Sequence, residues 1–153
     1  AGVNAIGVEP FGYDFLVERK LQVYKIVEEV PPTTKVDGVF SSNVIEHLED
    51  APALMQQIYQ RLEPDGWFFV TTPNGAGANA RLRRGAWREA LKPGHIVFFT
   101  PKSLEFYLSK VGFSSVRRCQ SEIKYGHRFP RNLLQKALNG LGVEGEIKYL
   151  AIK

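Results

Sequence analysis

Short β-branched runs alternate along the chain with segments whose apolar residues recur every three or four positions, the patterns of strands and of amphipathic helices. The run "NAIGVEP", closed by an acid and a proline, predicts a first strand, and the mixed segment Tyr13 to Lys20 after it predicts a helix. "LQVYKIV" predicts a second strand, and the paired prolines of "EEVPPTTK" then exclude a regular element. Val36 to Phe40 reads as another strand. Asp50 is placed to cap a helix that carries Pro52 in its first turn and Leu54, Ile58 and Leu62 on one face, until "EPDG" stops it. The continuous apolar run "GWFFVTTPN" predicts a strand buried on both faces. Thr100 as N-cap, Pro101 at the first helical position, Leu104, Leu108 and Val111 as the apolar face and Gly112 as the stop define a further helix. "SSVRRCQSEIKYG" and "GEIKYLAIK" alternate like strands, with a short helix expected at Asn132 to Leu141 between them. The order predicts an α/β fold, a mostly parallel sheet with an antiparallel C-terminal edge, in a single domain over residues 1–153.

At 153 residues such a domain buries about two-thirds of its unfolded surface without staples. No apolar run approaches the roughly 20 residues of a membrane-spanning helix. The lone Cys119 excludes an internal disulfide and a paired-cysteine zinc site, which favours a reducing compartment, the cytoplasm. Twenty basic against 16 acidic residues give a net charge of +4, too small an excess to announce nucleic acid. The chain opens on Ala1 and its only methionine is Met55, as expected of a processed chain or a fragment.

In open α/β sheets, ligands bind beyond the carboxyl ends of the strands, which draws attention to the residues that follow each strand. Glu9 follows the first, as a ribose-binding acid or as a solvated loop acid, since a carboxylate has two acceptor oxygens for a vicinal diol. Ser41, Ser42 and Asn43 close the Val36 to Phe40 run, with Glu46 and His47 just beyond. Adjacent residues on a helical turn point roughly 100° apart, so one of Glu46 and His47 is open to a structural role and the other to chemistry. His95, after a Pro-Gly turn, is a further candidate; two imidazoles and a carboxylate also form a conceivable metal set. Between them, "GAGANARLRRGAWREALK" carries Arg81, Arg83, Arg84, Arg88 and Lys92 against the single acid Glu89. That loop reads as a phosphate cradle, an anion-pairing lid or a plain surface loop. Its arginines and Trp87 are also the one nucleic-acid-like feature.

Taken together, "IGVEP", "VDGVFSSNVIEHLEDAPALMQQIYQRLEPDGWFFVTTPN" and "KPGHIVFFTPKSLEFYLSKVGF" resemble class I S-adenosylmethionine-dependent methyltransferases, most nearly the group of quinone-biosynthesis O-methyltransferases and bacterial glycan or lipid methyltransferases. The resemblance runs from Ala5 to about Phe113. It implies a Rossmann-like sheet ending in an antiparallel hairpin, S-adenosylmethionine as cofactor, and methyl transfer to an oxygen or nitrogen of a small-molecule, glycan or lipid acceptor. It further implies Glu9 as ribose ligand, Ser42 and Asn43 on the cofactor side, Glu28 near the adenine, and His47 or His95 as catalytic base. In the metal-dependent branches the turn's acids and histidine and a later histidine bind a divalent ion, a pattern that falls on Glu46, His47 and His95. Asn43 stands where those branches carry the first acid, so no metal is assigned. The glycine-rich loop and the strand with which such enzymes begin do not occur in this sequence. The expectation is therefore weak cofactor binding and a homodimer that covers exposed strand edges, or else a methyltransferase-like binding module without activity.

Overall fold

The computed structural model describes residues 2–120, 133, 136–137, 140–141 and 143–153. The chain divides into two compact units, Ala1–Lys35 and Val36–Lys153.

In the first unit, β1 (Gly7–Val8) and β2 (Val23–Tyr24) form a two-stranded parallel sheet, joined through α1 (Tyr13–Glu18). A right-handed crossover through a helix is the usual way to make two successive strands parallel. The expected strand, helix and strand are all present, though both strands are short. A 3-10 turn at Val27–Glu29 follows and carries Glu28.

The second unit is built on a four-stranded sheet in the order β3-β4-β6-β5. β3 (Val36–Ser42) runs parallel to β4 (Leu62–Pro73), while β6 (Glu146–Ile152) runs antiparallel to both β4 and β5 (Ser115–Arg118). Over both sheets two strand pairs are parallel and two antiparallel, and β6 takes part in both antiparallel ones. Of the helix expected at Asn132 to Leu141, Leu133, Lys136, Ala137 and Gly140 are helical; the rest of it, and the end of the "SSVRRCQSEIKYG" strand, lie outside the described residues.

α2 (Ala51–Arg61) starts where the Asp50 carboxylate accepts a hydrogen bond from Ala53 N at 2.9 Å. α4 (Pro101–Val111) starts on a reciprocal box, Thr100 Oγ1 accepting from Ser103 N and Ser103 Oγ from Thr100 N, and ends at Gly112 with φ of 117°. That left-handed stop is one only glycine adopts at little steric cost. Both helices lie on one face of the sheet, where Met55, Ile58, Leu104 and Leu108 pack with Phe68, Val70, Ile147, Tyr149 and Ala151. Strand β4 is consequently not buried on both faces along its whole length. Phe68 and Val70 are fully buried, but Trp67 is 41% exposed and Phe69 half-buried, because within this unit α2 and α4 cover a single face. Only the far end of the strand, Val70 to Pro73, is buried at every position, as is Asn74 after it.

Candidate functional site

The parallel pairing of β3 and β4 brings their carboxyl ends to one edge, and β6 begins there, with Glu146 opposite Pro73. At that edge β3 turns sharply. Asn43 holds φ of 53°, a left-handed conformation that asparagine tolerates better than most residues, and its N–H donates to Thr71 O at 2.9 Å. The side chains of Ser42 and Asn43 are exposed, with Asn43 Nδ2 3.5 Å from Ser42 Oγ. A 3-10 turn, Ile45–His47, follows at once.

This turn separates Glu46 from His47 as their adjacency requires. Glu46 is 0% exposed: Oε2 accepts from Thr72 Oγ1 at 2.9 Å, and its backbone oxygen accepts from both Ile96 N and Val97 N. Oε1 has no hydrogen-bond partner among the described residues, an unusual state for a buried carboxylate. His47 is the exposed member. Its Nδ1 lies 2.9 Å from Gly94 O, and a carbonyl can only accept, so Nδ1 carries the proton and Nε2 is left as a lone-pair acceptor. Gly94 has φ of 84°, and a Cβ there would sit 3.2 Å from His47 Nδ1; a side chain would strain the backbone and press on the imidazole together.

His95 is the neighbouring ring, edge-on to His47 with centroids 4.6 Å apart. It is 6% exposed in its side chain, and its Nδ1 is 3.8 Å from Glu89 Oε2, which also pairs with Lys92 Nζ at 2.5 Å. The ligating atoms of Glu46, His47 and His95 lie within 4.8 Å of one another. Ligands around a tetrahedral ion with bonds of about 2.1 Å are about 3.4 Å apart, so the three groups are near enough to be drawn onto one cation. A cavity of about 410 Å³ opens in front of the rings, walled by Asn43, Glu89, Lys92 and Glu146 among others.

Of the sequence candidates, the structure thus gathers Asn43, His47 and His95 at one cavity, with Ser42 next in chain. Glu9 and Glu28 belong to the first unit. The Glu9 carboxylate folds over its own turn, Oε1 accepting from Phe11 N and Gly12 N, and Oε2 makes no hydrogen bond among the described residues. Glu28 is exposed on its 3-10 turn. Sequence reasoning gave Glu89 no role beyond relieving a basic loop, and missed Thr72 and Glu146 altogether. The one signal for Glu89 was its being the single acid there.

The glycine-rich segment is not a phosphate cradle. Gly75 N donates to Phe99 O, Ala76 N to Asn74 Oδ1, Gly77 N to Asn74 O and Ala78 N to Val143 O, so the donors a phosphate would need are already taken. It leads into α3 (Ala78–Arg83). Trp87 is buried against Phe98, ring centroids 5.0 Å apart, and so offers no face for a base to stack on. A second cavity, about 620 Å³, lies between the start of α4 and the end of β5, with Arg81, Lys102, Arg118 and Tyr149 on its wall. Tyr149 donates to Pro101 O, and burial pushes its phenol pKa up, so it stays a donor. Arg81 is the basic-loop residue on that wall, and none of Glu9, Glu28, Ser42, Asn43, His47 and His95 lines the cavity.

The chain resembles solved methyltransferases over nearly its whole length. A S-adenosylmethionine-dependent methyltransferase from Archaeoglobus fulgidus superposes with a TM-score of 0.70 at 19% identity, over 99% of this chain and 77% of that one. One from Thermotoga maritima gives 0.71 at 19% identity, over 97% and 72%. The plantazolicin methyltransferase BamL, solved with a triazolic desmethyl analogue and S-adenosylhomocysteine, gives 0.64 at 12% identity, over 99% and 68%. No curated protein sequence matches. The model of a methyltransferase domain matches residues 1–117, which contain β1 to β4, α1 to α4 and every residue of the Asn43, His47 and His95 cluster; the chain belongs to the methyltransferase-domain family and has the class I S-adenosylmethionine-dependent methyltransferase fold.

Proposed function

We propose that the chain is a methyl-transfer domain that uses S-adenosylmethionine and passes the methyl group to an oxygen or nitrogen of a small-molecule, glycan or lipid acceptor, in the cytoplasm. The observation that carries the reading is the cluster of Asn43, His47 and His95 around one cavity at the carboxyl ends of β3 and β4, in a chain that the methyltransferase-domain model matches. In the second unit Ser42 and Asn43 offer the cofactor an exposed hydroxyl and amide; in the first unit Glu9 offers a carboxylate with one oxygen tied to its own turn and the other available to a ribose hydroxyl. Glu28 is assigned to the adenine side. When bound, S-adenosylmethionine supplies an electrophilic methyl group, so the protein's part is to align the acceptor and exclude water. His47 Nε2 takes the acceptor's proton, the ring being held by Nδ1 on Gly94 O. His95, buried behind it, fixes the other side of the ring.

Calorimetric titration with S-adenosylhomocysteine tests the cofactor half. In a chain extended upstream to carry a glycine-rich loop, Glu9→Ala is expected to weaken binding by roughly 1.5–3 kcal/mol, the worth of a charged hydrogen bond; unchanged affinity removes Glu9 from the site, and no binding by that extended chain removes the proposal.

A homodimer is part of the same proposal. Among the described residues β3 is an edge strand of the four-stranded sheet, and its Phe40 is 66% exposed, a pairing of edge and apolar side chain that invites another strand. Light scattering coupled to size exclusion is expected to give twice the chain mass at micromolar concentration. A monomer under those conditions sinks this part alone.

A further inference from the structure

We propose that the acceptor is a small protonated amine, bound in the cavity at the carboxyl ends of β3 and β4. This inference rests on the methyl-transfer reading and adds the acceptor's chemical class. It starts from a sign: the chain as a whole carries +4, yet its site cavity is acidic. Glu89 and Glu146 stand on the wall with Lys92 as the one cation among the lining residues, and Lys92 is held by Glu89. Immediately behind the rings is Glu46, fully buried, with Oε1 lacking any partner among the described residues. Lys148 reaches Glu146 Oε2 at 3.5 Å but is not part of the wall. The lining residues together with Glu46 behind them and Lys148 on Glu146 hold three carboxylates and two ammoniums, an excess of one negative charge that favours a cation over an anion or a neutral alcohol.

The cavity's polar neutral groups point the same way. An ammonium has three N–H donors to place and no acceptor. Asn43 Oδ1, the Glu146 carboxylate and His47 Nε2 are all acceptors on or at this wall, His47 by virtue of its Nδ1–H on Gly94 O. At about 410 Å³ the space falls in the range of small-molecule sites and admits a compact amine rather than a folded polymer surface. Loss of one proton from the ammonium to His47 Nε2 returns the nitrogen's lone pair, which is what a methyl acceptor must present; the proton then passes to solvent from the exposed imidazole.

The test is calorimetric titration of the full chain at neutral pH with phenethylamine and, separately, with 2-phenylethanol, which differs in the charged group alone. Each titration is run with and without saturating S-adenosylhomocysteine, and again in EDTA. The amine is expected to bind at least tenfold more tightly than the alcohol, and Glu146→Gln, an uncharged change at a half-exposed position that leaves the fold intact, is expected to remove most of that preference. Equal affinities, tighter alcohol binding, or no binding of either overturn the proposal. So does amine binding that EDTA abolishes and magnesium restores, since the cluster's occupant would then be a metal ion. Failure of S-adenosylhomocysteine to bind the extended chain is a separate result: it removes the methyl-transfer reading, while the amine's preference over the alcohol is still read directly from the titrations without it.

Discussion

His47→Ala is expected to slow methyl transfer by about 10²- to 10⁴-fold, the usual contribution of a positioned general acid or base, while the affinity for S-adenosylhomocysteine stays within about twofold. The reason is the division of labour in the turn after β3. Glu46 is committed to the interior by Thr72 Oγ1 and by the N–H groups of Ile96 and Val97. His47 is exposed, with Nδ1 on Gly94 O, so its Nε2 is left to accept a proton and to pass it to solvent, whereas His95, whose Nδ1 also lacks a hydrogen-bond partner among the described residues, is the buried ring. The loss should lie in the turnover number rather than in KM, because an interaction made mainly in the transition state lowers kcat and kcat/KM together. Formation of S-adenosylhomocysteine under saturating donor, with the amine that binds the cavity, measures it. A variant that retains more than about a tenth of the native rate would show that methyl transfer here needs alignment alone, and would leave His47 as a wall residue.

The elements that could be read from the sequence are those fixed by neighbours in the chain. Asp50 caps α2 by reaching three residues ahead, and Thr100, Ser103 and Gly112 bound α4 by contacts that span one turn. Glu9, too, satisfies itself within three residues. What escaped depends on distance along the chain. Gly94 O meets His47 across 47 positions, and Glu46 meets Thr72 across 26; no local pattern announces either. Glu89 is legible as the odd acid of a basic run, but its approach to His95 depends on how the chain turns at Pro93 and Gly94. The glycine-rich run looked free to hold phosphate because a sequence does not show that its N–H groups are spent on Asn74, Phe99 and Val143. The family's shape was carried by the order of strands and helices, whereas the acidic sign of the cavity came from Glu46, Glu89 and Glu146, three segments that only the sheet brings to one edge.

Strand β4 shows the same limit in energetic form, and it supplies the largest expected loss of stability. A continuous apolar run looks identical whether helices cover one face of a strand or two, yet the consequences for adjacent phenylalanines differ. Phe68 is 0% exposed and stacks on Phe113 at 6.0 Å within the cluster made by α2, α4 and β6. Phe69 points to the other face, half-buried, and stacks on the exposed Phe40 at 5.4 Å. Phe68→Ala is expected to destabilise the second unit by about 3–5 kcal/mol, the sum of lost transfer free energy and the cavity left behind. Phe69→Ala removes little more than an aromatic pair on an open face and is expected to cost below about 1.5 kcal/mol. Urea unfolding followed by tryptophan fluorescence separates the two. Both tryptophans, Trp67 and Trp87, lie in the second unit, so the signal reports that unit and not the first. At an unchanged slope, the midpoint shift gives each loss directly. Equal shifts for the two variants would mean that the Trp67–Phe69 face is as fully covered in solution as the α2–α4 face. An apolar partner would then be seated on it, and the homodimer is the form in which to look for that partner.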